Sequence, residues 1–315
     1  MTTAESTVGA LAQPRVQEAP APPRPKVKDT WWRHVVGLLA IGFALFPVVF
    51  VTSAAFNADD SISGTSLWPT HPTVQNFKDI VGNTVKDRSS EGYVDAPFLR
   101  WIANSLVIAG VAAILTVMLG ALAAYAFSRF RFKGRRMGMM SLLLIQMFPQ
   151  FLAFVAIYLI VLHMGDVFPV LGLNSLTGLI VVYLGGAMGV NAWLMKGFFD
   201  TIPAELDESA RVDGATPAQI FWGVVLPLAA PVLAVVALIS FVTTFGEFVL
   251  ASSLLQTQDH FTLPVGMRGF IDQQYGQRWG PFAAGALLAA IPATLLFSFL
   301  QRWIVSGLTS GAVKG

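Results

Sequence analysis

Six apolar stretches recur along the chain, at roughly 35–56, 99–127, 138–163, 175–195, 221–250 and 280–304. Polar segments separate them at 57–98, 128–137, 164–174, 196–220 and 251–279. A helix needs about 20 predominantly apolar residues to cross the hydrocarbon core. The pattern therefore predicts an all-α integral membrane protein with six transmembrane helices. The fifth stretch is long, so its first turns are expected to lie outside the bilayer, with Pro227 and Pro231 marking entry and a local bend. Residues 1–30 are polar and rich in Pro and Ala, and read as a disordered arm. The first apolar run begins only after Trp31 and Trp32, which favours an uncleaved first span over a cleaved signal peptide.

The basic residues set the expected orientation. With the N-terminus inside, the arm, 128–137, 196–220 and the tail hold 14 of the 20 Lys and Arg residues. Cytoplasmic segments carry such an excess, and the cluster Arg129, Arg131, Lys133, Arg135 and Arg136 is its strongest anchor. Both termini are thus expected in the cytoplasm, with 57–98 and 251–279 as large external loops.

Composition agrees with a lipid-facing surface: 55% of residues are hydrophobic, 12% are charged, and the mean hydropathy is +0.64. The sequence pI is about 9.0. The basic residues behind it sit in short inter-helix segments, as membrane topology requires, so it does not indicate a nucleic-acid partner. With no cysteine, disulfides, thiolate metal sites and Cys nucleophiles are excluded. None of the seven lysines is followed by Ser or Thr, so no P-loop is present. His34, His71, His163 and His260 are scattered, and no catalytic or metal-binding pattern emerges. An ion-coupled carrier needs ionisable groups at membrane depth, and within the six spans essentially one occurs, Glu247. This scarcity argues for an energy source in another chain. It weighs against a secondary transporter, as the lack of a visible repeat does, and the lack of a catalytic constellation weighs against a membrane-embedded enzyme.

The most informative segment is 200–231. Asp200, Thr201, Pro203 and Glu205 make a plausible helix start, Ala204 to Val212 is helix-prone, and Gly214 supplies a break or left-handed turn. Thr216 is the expected N-cap of a second helix with Pro217 at its first position. The residues Glu208-Ser209-Ala210, Asp213-Gly214-Ala215 and Val224-Val225-Leu226-Pro227 resemble the Glu-Ala-Ala loop of ABC-importer permeases, with Ser209 in place of an Ala and Val224 in place of an Ile. Further motifs are similar to the smaller permease subunit of maltose-type importers. They are Asn104-Ser105, Ala124-Tyr125-Ala126-Phe127 with Arg129 and Arg131, Gln146-Met147-Phe148-Pro149, Gly172-Leu173-Asn174, Tyr183-Leu184-Gly185-Gly186 and the ending from Gln301 to Gly315. The likeness covers most of 35–315 and leaves out the N-terminal arm.

That resemblance implies a coupling loop at 200–217, with Glu208, Ala210, Asp213, Gly214, Ala215 and Pro227 forming or bracing the contact with an ATPase subunit. It implies that the tail, Leu308 to Lys314 and Gly315, reaches the ATPase dimer interface, and that the loop with Gln256, Thr257 and Gln258 meets a sugar-binding protein. The implied partners are a second permease subunit, two ATPase subunits and the extracytoplasmic binding protein, in a bacterial cell membrane. No cofactor is expected on this chain, since ATP and Mg would sit on the ATPase subunits. The implied cargo is maltose, a malto-oligosaccharide or a trehalose-like sugar, and an importer for another solute is the alternative. Glu247, Phe148 and Asn104 are the candidate pathway residues. For Glu247 the alternatives are snorkelling to water or pairing with the other permease. Asn104, Gln146, Gln150 and Asn191 read better as interhelical glue, and Phe148, Phe151 and Phe154 as packing.

Overall fold

The computed structural model describes residues 31–59, 67–86, 93–148, 150–272 and 277–312. The N-terminal arm and Lys314 lie outside them. Helix α1 (Trp31–Ala55) carries Pro47 inside it and closely matches the first expected span. After it come α2 (Gln75–Val81) and a two-stranded antiparallel hairpin, β1 (Thr84–Lys86) and β2 (Tyr93–Asp95), with Val85 opposite Val94.

The centre of the fold is α3 (Phe98–Arg129), against which α6 (Leu176–Phe199) and α10 (Ala230–Phe245) pack most extensively. Small residues make this close approach feasible: Ala109, Ala112, Ala113, Gly120, Ala121 and Ala124 line the buried face of α3. Asn191 of α6 donates to Ser240 Oγ of α10 at 3.2 Å in the buried interface. Asn191 is therefore interhelical glue, as its position suggested.

Two expected spans differ from continuous helices. The third is divided into α4 (Arg135–Met147) and α5 (Gln150–Val167), bent by 103° around Phe148. The Phe-Pro dipeptide explains the break, because proline disfavours helical backbone in the residue before it. Phe148 has ψ 126°, an extended value. The fifth is divided as well. A short helix, α8 (Pro217–Ile220), passes through a π-turn at Phe221–Val225 into α9 (Leu226–Leu228), and α10 follows after a 78° bend at Ala229. Pro227 lacks the N–H that would continue the α-helical ladder, which accounts for the wider turn just before it. The span ends at Phe245, and Glu247 lies beyond it, before α11 (Val249–Leu254). A milder bend of 49° divides α6 around residue 187. The last helix, α13 (Trp279–Ala312), outruns the expected span, so Leu308 sits on its final turns. Among the described residues, three helices are long and apolar enough to cross a membrane, or up to six if each bent pair counts as one span.

The described parts of the expected external loops are folded. Helix α12 (Leu263–Ile271) lies within 251–279 and contributes Leu263, Met267 and Phe270 to a core with Ile80, Val85, Phe98 and Trp101. Arg278 and Asp79, both buried, pair at 3.4 Å across this core. Sequence hydropathy missed it because each segment is too short to register as a span. Gly266 sets its tightest contact: a Cβ there would stand 2.1 Å from Trp101 Cδ2. Gly266→Ala should therefore overpack the site at a cost of roughly 1–3 kcal/mol. The thermal inactivation temperature of the solubilised protein should fall, and an unchanged temperature would contradict the packing described.

Candidate functional site

The surface around 200–217 is built on the end of α3. Its penultimate residue Ser128 donates to Asp200 Oδ1 at 2.7 Å, and Arg129 Nη2 donates to the carbonyl of Ile202 at 2.9 Å. Helix α7 (Ala204–Val212) then places Asp207 against Arg129, with Nε and Oδ2 3.0 Å apart. Both side chains are nearly inaccessible, at 9% and 3% exposure. The pair is close but not aligned as a hydrogen bond, and Asp207 Oδ1 has no hydrogen-bond partner. Removing one member would leave the other as an uncompensated buried charge.

Asp207 was not singled out from the sequence. Its signal was an acid in a helical first turn; its neighbour Glu208 is exposed. Asp200 also accepts from Lys196 Nζ. Partial burial raises the Asp200 carboxyl pKa, but the hydrogen bonds from Lys196 and Ser128 outweigh it, leaving the group below the usual carboxylate range. Its folded pKa is thus depressed, so its contribution is present at neutral pH and is lost only as pH falls through that lowered value.

Gly214 terminates α7. Its φ of +85° is in the left-handed region, where a side chain is strained. The Ala215 amide bonds to the Ala210 carbonyl at 2.9 Å and the Gly214 amide to that of Arg211 at 3.0 Å. These two bonds are the Schellman pattern for closing a helix. Thr216 then caps α8 as expected: its Oγ1 accepts from the Gln219 amide at 3.3 Å, and Gln219 Oε1 accepts from the Thr216 amide at 2.8 Å. The segment is therefore two fixed helices around one turn.

The motif residues divide by face. Ala210 and Ala215 turn inward onto a core containing Tyr125, Met195, Phe199, Ile220 and Phe221. Glu208, Asp213 and Gly214 are exposed. Leu206 (42% exposed) and Val212 (88% exposed) share the outward side, an apolar pair the sequence reading overlooked. Pro227 lies in α9, between the π-turn and the bend that leads to α10.

The segment 254–261 is held as firmly. Asn174, in left-handed conformation at φ 56°, accepts at Oδ1 from the amides of Gln256 (3.0 Å) and Thr257 (3.1 Å). Its own amide bonds to the Leu254 carbonyl at 2.7 Å. From α3, Trp101 Nε1 reaches the Gln258 carbonyl at 2.9 Å, and Asn104 Nδ2 reaches those of Asp259 and Phe261 at 2.9 and 3.0 Å. Arg100 pairs with Asp259. Asn104 thus braces this loop, and its amide is engaged there. Thr257, Gln258 and Asp259 also border a polar cavity of ≈ 320 Å³ with Asn83 and Asp95.

The other pathway candidates separate. Glu247 accepts from Tyr183 Oη at 2.6 Å and from the amides of Leu250 and Ala251 at 2.8 and 3.1 Å. It caps the start of α11, which satisfies a buried-side carboxylate and orphan helix donors together. Phe148 lines a largely apolar cavity of ≈ 930 Å³ between α4, α5 and α6, where Gln146 donates to the Gly186 carbonyl. Phe154 packs into the core around Val161 and Leu179. Gln150 and Phe151 have no described side chains.

A family model described as "Binding-protein-dependent transport system inner membrane component" matches residues 116–310. The maltose/maltodextrin transport system permease protein MalG of Vibrio parahaemolyticus serotype O3:K6 is 40% identical over 288 residues, 90% of this chain and 96% of that one. Its Escherichia coli (strain K12) counterpart is 38% identical over 309 residues, 97% of this chain and 100% of that one. The galactooligosaccharides transport system permease protein GanQ of Bacillus subtilis (strain 168) is 39% identical over 271 residues, covering 86% and 90%. Among solved structures, a bacterial ABC transporter involved in import of the acidic polysaccharide alginate superposes with a TM-score of 0.67. That match covers 89% of this chain and 99% of the other at 22% identity, a likeness of fold alone. The chain belongs to the binding-protein-dependent transport system inner membrane component family. It is a membrane-embedded transport component and not an enzyme.

Asp207→Ala should cost about 3–5 kcal/mol by stranding Arg129. The double variant Arg129→Met, Asp207→Leu should recover much of that loss, read as thermal stability of the solubilised complex. A single variant as stable as the parent would remove the pair from its central place.

Proposed function

We propose that the chain is a permease subunit of an ATP-driven, binding-protein-dependent sugar importer. It forms half of the pathway in a bacterial cell membrane, crossing it six times with both termini in the cytoplasm. The observation that carries the reading is the surface at 200–217: a fixed nine-residue helix, stapled to α3 and presenting Leu206, Glu208 and Val212 outward. A short amphipathic helix with an apolar anchor and an acid suits a groove on a partner, and here that partner is the ATPase subunit. ATP and Mg are held there, and this chain binds no cofactor of its own. The tail from Leu308 to Lys314 is proposed to reach the same subunits. The loop Gln256–Gln258 is proposed to meet the sugar-loaded binding protein.

The names of the MalG relatives favour maltose or a malto-oligosaccharide as cargo. The similar identity to GanQ favours a galacto-oligosaccharide as the second reading. Closure of the ATPase subunits would push on α7 and α8, and the π-turn and bend would carry that push to α10. The helices of this chain and a second permease would then rock between inward-open and outward-open states.

Mild-detergent purification of the tagged chain from its membrane, followed by mass spectrometry, tests the assembly. A second permease, an ATPase and a solute-binding protein should accompany it; a lone chain would overturn the proposal. Gly214→Pro imposes a φ near −65° where +85° is needed. It should leave membrane insertion intact and abolish sugar-stimulated ATPase activity, so normal stimulation would refute the coupling role. Val212→Asp and Glu208→Lys alter exposed side chains and should reduce co-purification of the ATPase subunit while sparing the permease pair. Full retention in both would remove α7 from that contact.

A further inference from the structure

At the same face as α7, a second feature stands apart from the coupling surface. The start of α4, the turn before it and the end of α6 enclose a cavity of ≈ 830 Å³. Its mouth is cationic, with Arg135, Arg136 and Lys196, and its wall is apolar, with Phe132, Met140 and Trp193. Lys196 is tied to Asp200, while Arg135 donates to the Ser128 carbonyl at 3.4 Å and shares the field of the same carboxylate without pairing with it. Arg136 pairs with no carboxylate among the described residues. Gly134, at φ +88°, is the N-cap of α4 and brings no capping side chain. Three cations against one acid leave a local excess of positive charge beside apolar surface.

We propose that this cleft holds one anionic phospholipid, its phosphate among Arg135, Arg136 and Lys196 and its upper acyl chain along Met140 and Trp193. The position suits a lipid. Helix α3 ends at Arg129, α4 begins at Arg135, and Lys196 lies in the last turn of α6, so the cations collect where apolar helices leave the bilayer. Basic pockets between membrane helices recognise acidic headgroups in this way, and tryptophan favours the same depth. A free phosphate would use the cations alone. The exposed apolar wall, with Trp193 52% and Met140 49% accessible, gives the lipid its advantage. The inference rests on the chain being embedded in a membrane, and not on its cargo.

The complete complex, reconstituted in nanodiscs of phosphatidylcholine doped with phosphatidylglycerol, provides the test. Lipids retained after gentle extraction are counted by native mass spectrometry. The double variant Arg135→Gln, Arg136→Gln should bind phosphatidylglycerol about 25-fold more weakly and retain correspondingly less of it, since each cation near the surface is worth roughly fivefold in affinity. The control Arg131→Gln, Lys133→Gln removes the same charge from the same segment without touching the cavity, and should retain the parent amount. Arg136→Gln alone should give a smaller loss, and Trp193→Ala should lose retention with every charge in place. Equal loss in the site and control variants would mean diffuse surface charge and overturn the proposal. So would equal retention of the neutral lipid, or efficient crosslinking of Met140→Cys to a co-purifying permease, which would mean protein covers the cleft. Sugar-stimulated ATPase activity in the same nanodiscs reports separately on folding and on the importer reading.

Discussion

The buried ion pair between Arg129 and Asp207 is the constraint on which the rest of the membrane-surface apparatus depends. A helix of nine residues is too short to be stable alone. It holds its position here because the buried charge at the end of α3 is balanced by the acid that α7 carries. The pair is costly to desolvate and offers little net stability. What it provides is register: if α7 slipped so that Leu206 took the place of Asp207, Arg129 would face an apolar side chain and lose its partner. Ser128 on Asp200 and Arg129 on the Ile202 carbonyl fix the connecting turn in the same way.

A matching arrangement operates at the other end of α3. Arg100, Trp101 and Asn104, within its first two turns, hold the segment 258–261, while Asn174 holds 254–257. The central helix is therefore tied at both ends to the two irregular segments proposed to meet partners. Between those ends its contacts are mostly alanine and glycine against α6 and α10. A rod with small-residue sides and polar fastenings at its tips can transmit a displacement without internal rearrangement.

Much of this was legible in the chain. The six apolar runs, the helix over Ala204 to Val212, the left-handed glycine and the Thr216 cap all follow from local rules, because each depends on neighbours only a few residues away. The breaks at Phe148 and Ala229 were partly legible, since proline marks them, but hydropathy averages over a bend. The roles of Asp207, Asn174 and Glu247 were not legible. Each depends on a partner far off in sequence: Asp207 on Arg129, Asn174 on Thr257, and Glu247 on Tyr183. Hydropathy assigned Glu247 to a span, whereas its three hydrogen bonds make it the cap of a short helix. The outer core of Ile80, Val85, Trp101 and Phe270 escaped for the same reason, being assembled from short segments of which none is apolar enough alone.

The bend at Ala229 has a mechanical meaning. Two helical arms meet there at 78°, joined by a π-turn whose hydrogen bonding is already irregular. The first arm bears α8 and its capped start; the second is a core helix of the bundle. Under the proposed coupling, such an elbow would work as a bell crank. A shove delivered sideways along the membrane surface would emerge, after close to a quarter-turn, as a tilt of the long arm about its pivot. The direction of work is thereby rotated within one continuous stretch of backbone, with no separate joint to come loose.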